Sequence, residues 1–146
     1  MATISEIEAT IIEEFDLFDD WMGRYEHLIE QGRHLQELDD VYRNDAHKIK
    51  GCQAQVWLQA AAENNRIHFS ADSDAAITRG LIALLVRVLS GQPAEAIRNA
   101  PLDFLDQIEM KEHLSPTRKN GLNAMIKQMK LYAVALDPAS SSPTAS

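Results

Sequence analysis

The chain reads as an α+β domain, a small antiparallel sheet of about three strands with helices packed against it. Three observations predict this. Apolar residues over the first thirty positions recur every three or four. Two runs near the middle carry strand spacing around a polar turn. Helical apolar patterns then continue to about residue 136. One layer of helices on a small sheet is an arrangement that buries elements of both kinds.

The elements follow in order. Thr3 with Glu6 three positions on fits a capping box, and Ile4, Ile7, Ile11, Phe15, Phe18, Met22, Tyr25 and Ile29 supply the apolar stripe of an amphipathic helix. Asp19 and Asp20 are expected to break it in two, the second piece ending near Gly32. Residues 31–45 are polar and irregular and read as a loop. "QVWLQAA" and "RIHFSA", separated by "ENN", predict an antiparallel hairpin. Two strands alone are marginal, so a third is expected, the candidate being "HKIK" before Gly51. Asp74 is expected to cap a helix running to Ser90 and closed by Gly91. Its interior, "GLIALLVRVL", is apolar nearly all round, with Thr78, Arg79 and Arg87 as a thin polar stripe, so it should be the most buried helix. Pro93 opens a short helix to about Ala100, residues 102–110 suggest another, and Ser115–Pro116 is a strong start signal. Leu122, Met125, Ile126, Met129, Tyr132 and Leu136 then share one face. Residues 1–136 read as a single domain, and residues 137–146, "DPASSSPTAS", as a disordered tail.

The chain has 146 residues, 45% of them hydrophobic and 25% charged, enough to bury a core without a disulfide or metal. Fourteen Lys and Arg against 22 Asp and Glu give a formal charge of −8, which argues against nucleic acid or an anionic membrane as the main partner. The opening "MATISEIEAT" lacks the positive and apolar regions of a signal peptide, and the longest apolar run is about "LIALLV". A cytoplasmic protein with a reduced thiol is therefore expected.

That thiol, Cys52, is the one cysteine in the sequence and the main candidate for chemistry. Free cysteine is often buried and inert. Here Gly51 suits a tight turn that presents the next side chain, and Lys48 and Lys50 place positive charge nearby, which favours the thiolate. A cysteine hydrolase would also need a base and an oxyanion hole, and His47, His68 and His113 carry no recognisable signature of one. Metal sites and iron–sulfur clusters need several ligands at defined spacing. A solitary displayed thiolate can still attack a sulfur held by another protein and carry it away as a persulfide. An inert cysteine in a non-catalytic adaptor domain is the rival reading.

Three blocks, "IKGCQAQVWL" (49–58), "DSDAAITRGLIALL" (72–85) and "HLSPTRKNGLNAMI" (113–126), lie in the order and spacing of one family. Over about residues 5–136 the chain resembles the SufE family of sulfur acceptors, which work with cysteine desulfurases in iron–sulfur cluster assembly. The resemblance implies a small antiparallel sheet with helices against it. It implies that Cys52 accepts persulfide sulfur from a pyridoxal-phosphate-dependent, SufS-like desulfurase and stimulates that enzyme. Delivery to an iron–sulfur scaffold of SufB-like kind would follow, with no turnover by the acceptor alone. No cofactor or metal is expected on the chain itself, because the pyridoxal phosphate resides on the partner. A homodimer is compatible with the resemblance. Gly51, Gln53, Gln55, Val56 and Trp57 match the motif around the cysteine. Arg118 matches an arginine expected near the loop, in a first helical turn where a cation is otherwise disfavoured. Asp74 matches a position near the partner-facing surface. Trp57 is also expected in the core. His47 stands where asparagine or another neutral polar residue is expected, so no backbone-holding role is assigned to it.

Overall fold

The computed structural model describes residues 2–50 and 54–137. The helices are α1 (Ile4–Asp16), α2 (Trp21–Arg33), α3 (Ala76–Leu89), α4 (Ala94–Asn99), α5 (Phe104–Gln107) and α6 (Pro116–Ala135), and the strands are β1 (Val56–Glu63), β2 (Arg66–Ser73) and β3 (Gln92–Pro93). The fold is α+β with a three-stranded antiparallel sheet in the order β1-β2-β3.

Local chemistry explains the starts. Thr3 and Glu6 form the expected reciprocal capping box on α1. The Asp20 carboxylate accepts the Gly23 N–H at 2.8 Å and opens α2. Ser115 accepts the Arg118 N–H and opens α6, with Pro116 at the first helical position. The β1–β2 hairpin turns at Asn64 and Asn65, with φ of 54° and 64°. Two successive left-handed residues match the right-handed twist of the flanking strands, and asparagine tolerates that conformation.

The core lies between the sheet and α3, with α2 against the other side of α3. Val56 and Leu58 of β1 and Ile67, Phe69 and Ala71 of β2 point inward, and α3 is buried from Gly80 to Leu85. The α2–α3 crossing is close: a Cβ on Gly80 would lie 2.4 Å from the Leu28 carbonyl oxygen. An ionic knot joins the first three helices. Glu14 accepts both Arg87 terminal nitrogens and pairs with His27, and Gln31 accepts from Arg87 as well.

Four expectations are corrected. The third strand of the sheet is Gln92–Pro93, beside β2, while the "HKIK" segment makes only a single antiparallel bridge, Lys48 to Trp57, on the opposite edge. Gly91 (φ 82°) turns the chain after α3 so that its N–H reaches the Ile67 carbonyl. Asp74 does not cap α3. Its carboxylate is drawn to a backbone N–H of the preceding loop, and the cap falls to Ala75, which makes no side-chain cap bond. Trp57 is half-buried on the outer face of the sheet, because strand alternation assigns the inward positions to Val56 and Leu58. Met22 is 72% exposed, since the break at residues 17–20 restarts the helical phase and Leu28 becomes the buried position.

Asp137 is buried and pairs with Arg98 at 2.5 Å. The rest of the expected tail, residues 138–146, lies outside the described residues. Among the described residues, no helix is long and apolar enough to cross a membrane.

Candidate functional site

Cys52, with Gly51 and Gln53, lies outside the described residues, so the site is built from what flanks it. The stem is well defined. On the entry side the Ile49 N–H donates to the Val56 carbonyl at 2.8 Å, and the Leu58 N–H donates to the His47 carbonyl at 2.9 Å. On the exit side the Gln55 N–H donates to Asp74 Oδ1 at 3.0 Å, and the Asp74 N–H returns to the Gln55 carbonyl at 3.3 Å. The described chain thus leaves the sheet after Ile49 and rejoins it at Val56 across a closed backbone pair.

Ala54, two residues past Cys52, lines a cavity of about 340 Å³. Its floor is apolar. Leu81, Ile82 and Leu85 of α3 meet Leu122 and Met125 of α6 there, all of them buried. Its rim is polar, with Asp74, Thr78, Thr117 and Arg118. The helical period of α3 and α6 brings the floor together. Ser115 and Pro116 fix the first turn of α6, which places Arg118 at the mouth. The geometry offers a recess with an apolar floor, large enough for a small side chain, with a carboxylate and a guanidinium at its entrance.

Asp74 and Arg118, far apart in the sequence, therefore share one cavity wall with Ala54. Both are exposed. Gln55 is exposed and contributes its backbone to the stem, and Val56 lines the cavity. Lys48 and Lys50 are exposed on the entry segment. No histidine lines the cavity among the described residues. His47 is held by Asn44, whose Oδ1 lies 2.9 Å from His47 Nδ1 and accepts the His47 N–H at 3.2 Å. Asn44 also donates to the Val41 carbonyl at 2.7 Å and so ties the two ends of this turn together. His68 is exposed on β2, and His113 stacks on Trp21 with ring centroids 3.7 Å apart. Glu109, Glu112 and His113 have ligand atoms within 4.8 Å of one another, but all three are exposed and none lines the cavity.

Sequence reasoning missed the outer face of the sheet. Asp72, only 8% exposed, accepts from Arg43 Nη2 at 2.7 Å and from Arg79 Nε at 2.8 Å. Burial works hardest on the Asp72 carboxyl and opposes its ionisation. The Arg43 hydrogen bond, the Ser73 N–H and the two cationic charges together outweigh burial and hold its pKa below the ordinary carboxylate range. No periodic signal announced it: Asp72 reads as one charge of the "DSD" triplet, and only strand alternation against the inward Ala71 places it on the outer face.

Residues 9–133 match the family described as "SufE: Fe-S metabolism associated domain". An uncharacterized SufE-like protein of Rhizobium meliloti (strain 1021) is 40% identical over 134 residues, covering 88% of this chain and 96% of that protein. The sulfur acceptor protein CsdE of Escherichia coli (strain K12) is 37% identical over 107 residues, covering 72% and 73%. SufE-like protein 1, chloroplastic/mitochondrial, of Arabidopsis thaliana is 37% identical over 128 residues, covering 87% of this chain but 34% of that longer protein. The solution structure of a hypothetical protein from Thermus thermophilus superposes with a TM-score of 0.74, at 18% identity over 89% of this chain and 95% of the other, a likeness of fold. By the length of the family match and the closeness of these relatives, the chain belongs to the SufE family.

Proposed function

We propose that this protein is a sulfur acceptor and carrier that takes persulfide sulfur from a pyridoxal-phosphate-dependent cysteine desulfurase onto Cys52. Family membership supports the acceptor role, and one relative carries the name sulfur acceptor protein. The observation that carries the reading is the recess beside the stem. It has an apolar floor and a polar mouth, and Ala54 in its wall is two residues from the one cysteine of the chain.

The step is an exchange between sulfurs. The Cys52 thiolate attacks the outer sulfur of the partner's cysteine persulfide. A new S–S bond forms on Cys52, the partner's S–S bond breaks, and the partner's cysteine leaves as a thiolate. Nothing is oxidised or reduced overall. Lys48 and Lys50 on the stem favour the attacking anion. An apolar recess would shelter the resulting persulfide from water, oxidants and small thiols. A second exchange of the same kind passes the sulfur to a scaffold of SufB-like kind. The protein acts in the cytoplasm, holds no cofactor of its own, and raises the desulfurase's turnover by removing its product while turning over nothing alone.

The test is intact mass after incubation with a cysteine desulfurase and cysteine. Wild type is expected to gain one sulfur, about 32 Da, lost on reduction, and Cys52→Ser is expected to gain none and to lose stimulation of the desulfurase. Full stimulation by a folded Cys52→Ser protein would sink the reading and favour the adaptor alternative.

A further inference from the structure

The "DSD" triplet at the end of β2 holds both sides of the Cys52 stem, through two different aspartates. Asp74 takes the exit side through the Gln55 N–H at 3.0 Å. Asp72 takes the entry side through Arg43, which closes the short 3₁₀ turn at Asp40–Tyr42 seven residues ahead of Lys50. The Asp72 arrangement is a built one. Its Oδ2 accepts from Arg43 Nη2 at 2.7 Å. Its Oδ1 accepts from Arg79 Nε at 2.8 Å and from the Ser73 N–H at 2.8 Å. The Arg43 guanidinium also lies 5.5 Å over the Trp57 ring, a cation–π contact.

The register explains why these groups meet. Trp57 pairs directly with Asp72 across the β1–β2 ladder, and Lys48 bridges to Trp57 from the other side. Lys48, Trp57 and Asp72 form one row across the sheet. Arg43 spans the Trp57 and Asp72 members of that row and ties the incoming chain to them. A cation that reaches a buried carboxylate while resting on an aromatic face joins both groups in one contact. The Asp72 side chain is 11% exposed and that of Arg43 27%, so the pair is only partly shielded from salt.

The geometry points to Arg43 and Asp72 as positioning residues for sulfur transfer: they hold the entry segment against β1 so that the Cys52 segment is presented from a fixed stem. This rests on the reading of Cys52 as the acceptor. The remaining contacts of Arg43 support the assignment. Asp40, its second partner at 3.1 Å, is 94% exposed and contributes little, which leaves Asp72 and Trp57 as the partners that define its place.

The experiment titrates a cognate cysteine desulfurase with the acceptor and separates maximal stimulation from the half-saturating acceptor concentration. Arg43→Met keeps the length and apolar stem of the side chain but loses the fork. It is expected to lower maximal stimulation at least fivefold while moving the half-saturating concentration less than twofold. Arg43→Lys, which keeps a cation for Asp72, should recover more than half of the loss, and Asp40→Ala should match wild type. A merely structural role would act differently. A partly unfolded variant lowers the active concentration, so the half-saturating point rises and the maximum stays. Asp72→Asn, nearly isosteric, serves should Arg43→Met not fold, with the same split expected. Unchanged maxima in folded Arg43→Met or Asp72→Asn overturn the assignment, as does a loss that Arg43→Lys does not relieve. Cys52→Ser is run alongside. If it still stimulates fully, the acceptor reading has failed. If it is silent while Arg43→Met is fully active, only the positioning role has failed.

Discussion

Removing the Asp74 carboxylate leaves the Gln55 N–H without its acceptor at a solvent-exposed place, so water can replace the lost bond and global stability should change by less than about 1 kcal/mol. The local effect is larger, because that bond closes the exit side of the stem. Asp74→Ala is expected to reduce stimulation of the desulfurase severalfold with a nearly unchanged melting temperature. Asp74→Asn retains a carbonyl oxygen for Gln55 and should keep most of the activity. Equal losses in the two variants would instead assign Asp74 to a charge contact with the partner. At this scale the sequence was legible where a residue's role follows from the backbone it can reach. The capping box of Thr3 and Glu6 is such a case. Asp74 was misread because an aspartate before a helix usually caps it, and nothing local reveals that a backbone N–H nineteen residues earlier competes for the carboxylate. Asn44 was missed because the family resemblance directed attention to position 47, while the side chain that ties this turn together stands three residues before it.

The α2–α3 crossing shows what an element needs from one residue. Glycine within a helix ordinarily costs about 1 kcal/mol relative to alanine, so Gly80→Ala should stabilise an isolated α3. In the packed molecule the added Cβ would lie 2.4 Å from the Leu28 carbonyl oxygen and 2.8 Å from its Cγ, and a backbone oxygen cannot rotate away. Forcing packed helices apart costs roughly 1–3 kcal/mol. Gly80→Ala is therefore expected to lower the melting temperature by about 3–12 °C, at some 3–4 °C per kcal/mol for a chain of this size. A variant as stable as wild type would show that the helices separate freely. Elements were legible where period and boundary agree. The six apolar positions of α6 and its Ser–Pro start specify one helix, and Asn64–Asn65 specify the hairpin turn. The phase of β1 was not legible. Val56, Trp57 and Leu58 are all apolar, so alternation could not say which parity faces the helices. A two-residue strand ending in proline gives no periodic signal at all, and β3 exists because Gly91 returns the chain to the free edge of β2.

At the scale of the whole molecule, the recess is a feature that family resemblance implies but that apolar patterning alone does not place. Its floor residues were legible as apolar helical faces, but a cavity between α3 and α6 is a property of how two helices and a strand end meet. The charge distribution is closer to legible, and it fixes a dependence on pH. Glu14 has its pKa lowered chiefly by its Arg87 hydrogen bond, against burial, with His27 assisting. In Asp72 burial is the strongest influence and is outweighed by Arg43, Ser73 and Arg79. Glu8 goes the other way, raised by burial and by the Asp103 charge. A carboxylate lowered in the fold adds stability that is complete above its unfolded pKa of about 4 and is lost as pH falls through its folded value. Glu8 adds stability at low pH and loses it as pH rises through its own raised value. Glu14 and Asp72, each tied to arginine, should dominate below about pH 4, so the melting temperature is expected to hold from about pH 7 to 5 and then fall. Asp72→Asn isolates one contribution. The amide resembles a protonated carboxyl, with one carbonyl oxygen and one donor where wild type at neutral pH has two acceptors facing two guanidinium groups. The variant should melt below wild type at neutral pH. The gap should narrow as acid protonates Asp72 in the wild type and makes the two proteins chemically alike. Melting curves of both proteins from about pH 7 to 2.5 test this. A gap as wide in acid as at neutrality would mean that the Asp72 carboxylate stabilises the fold through its shape rather than its charge.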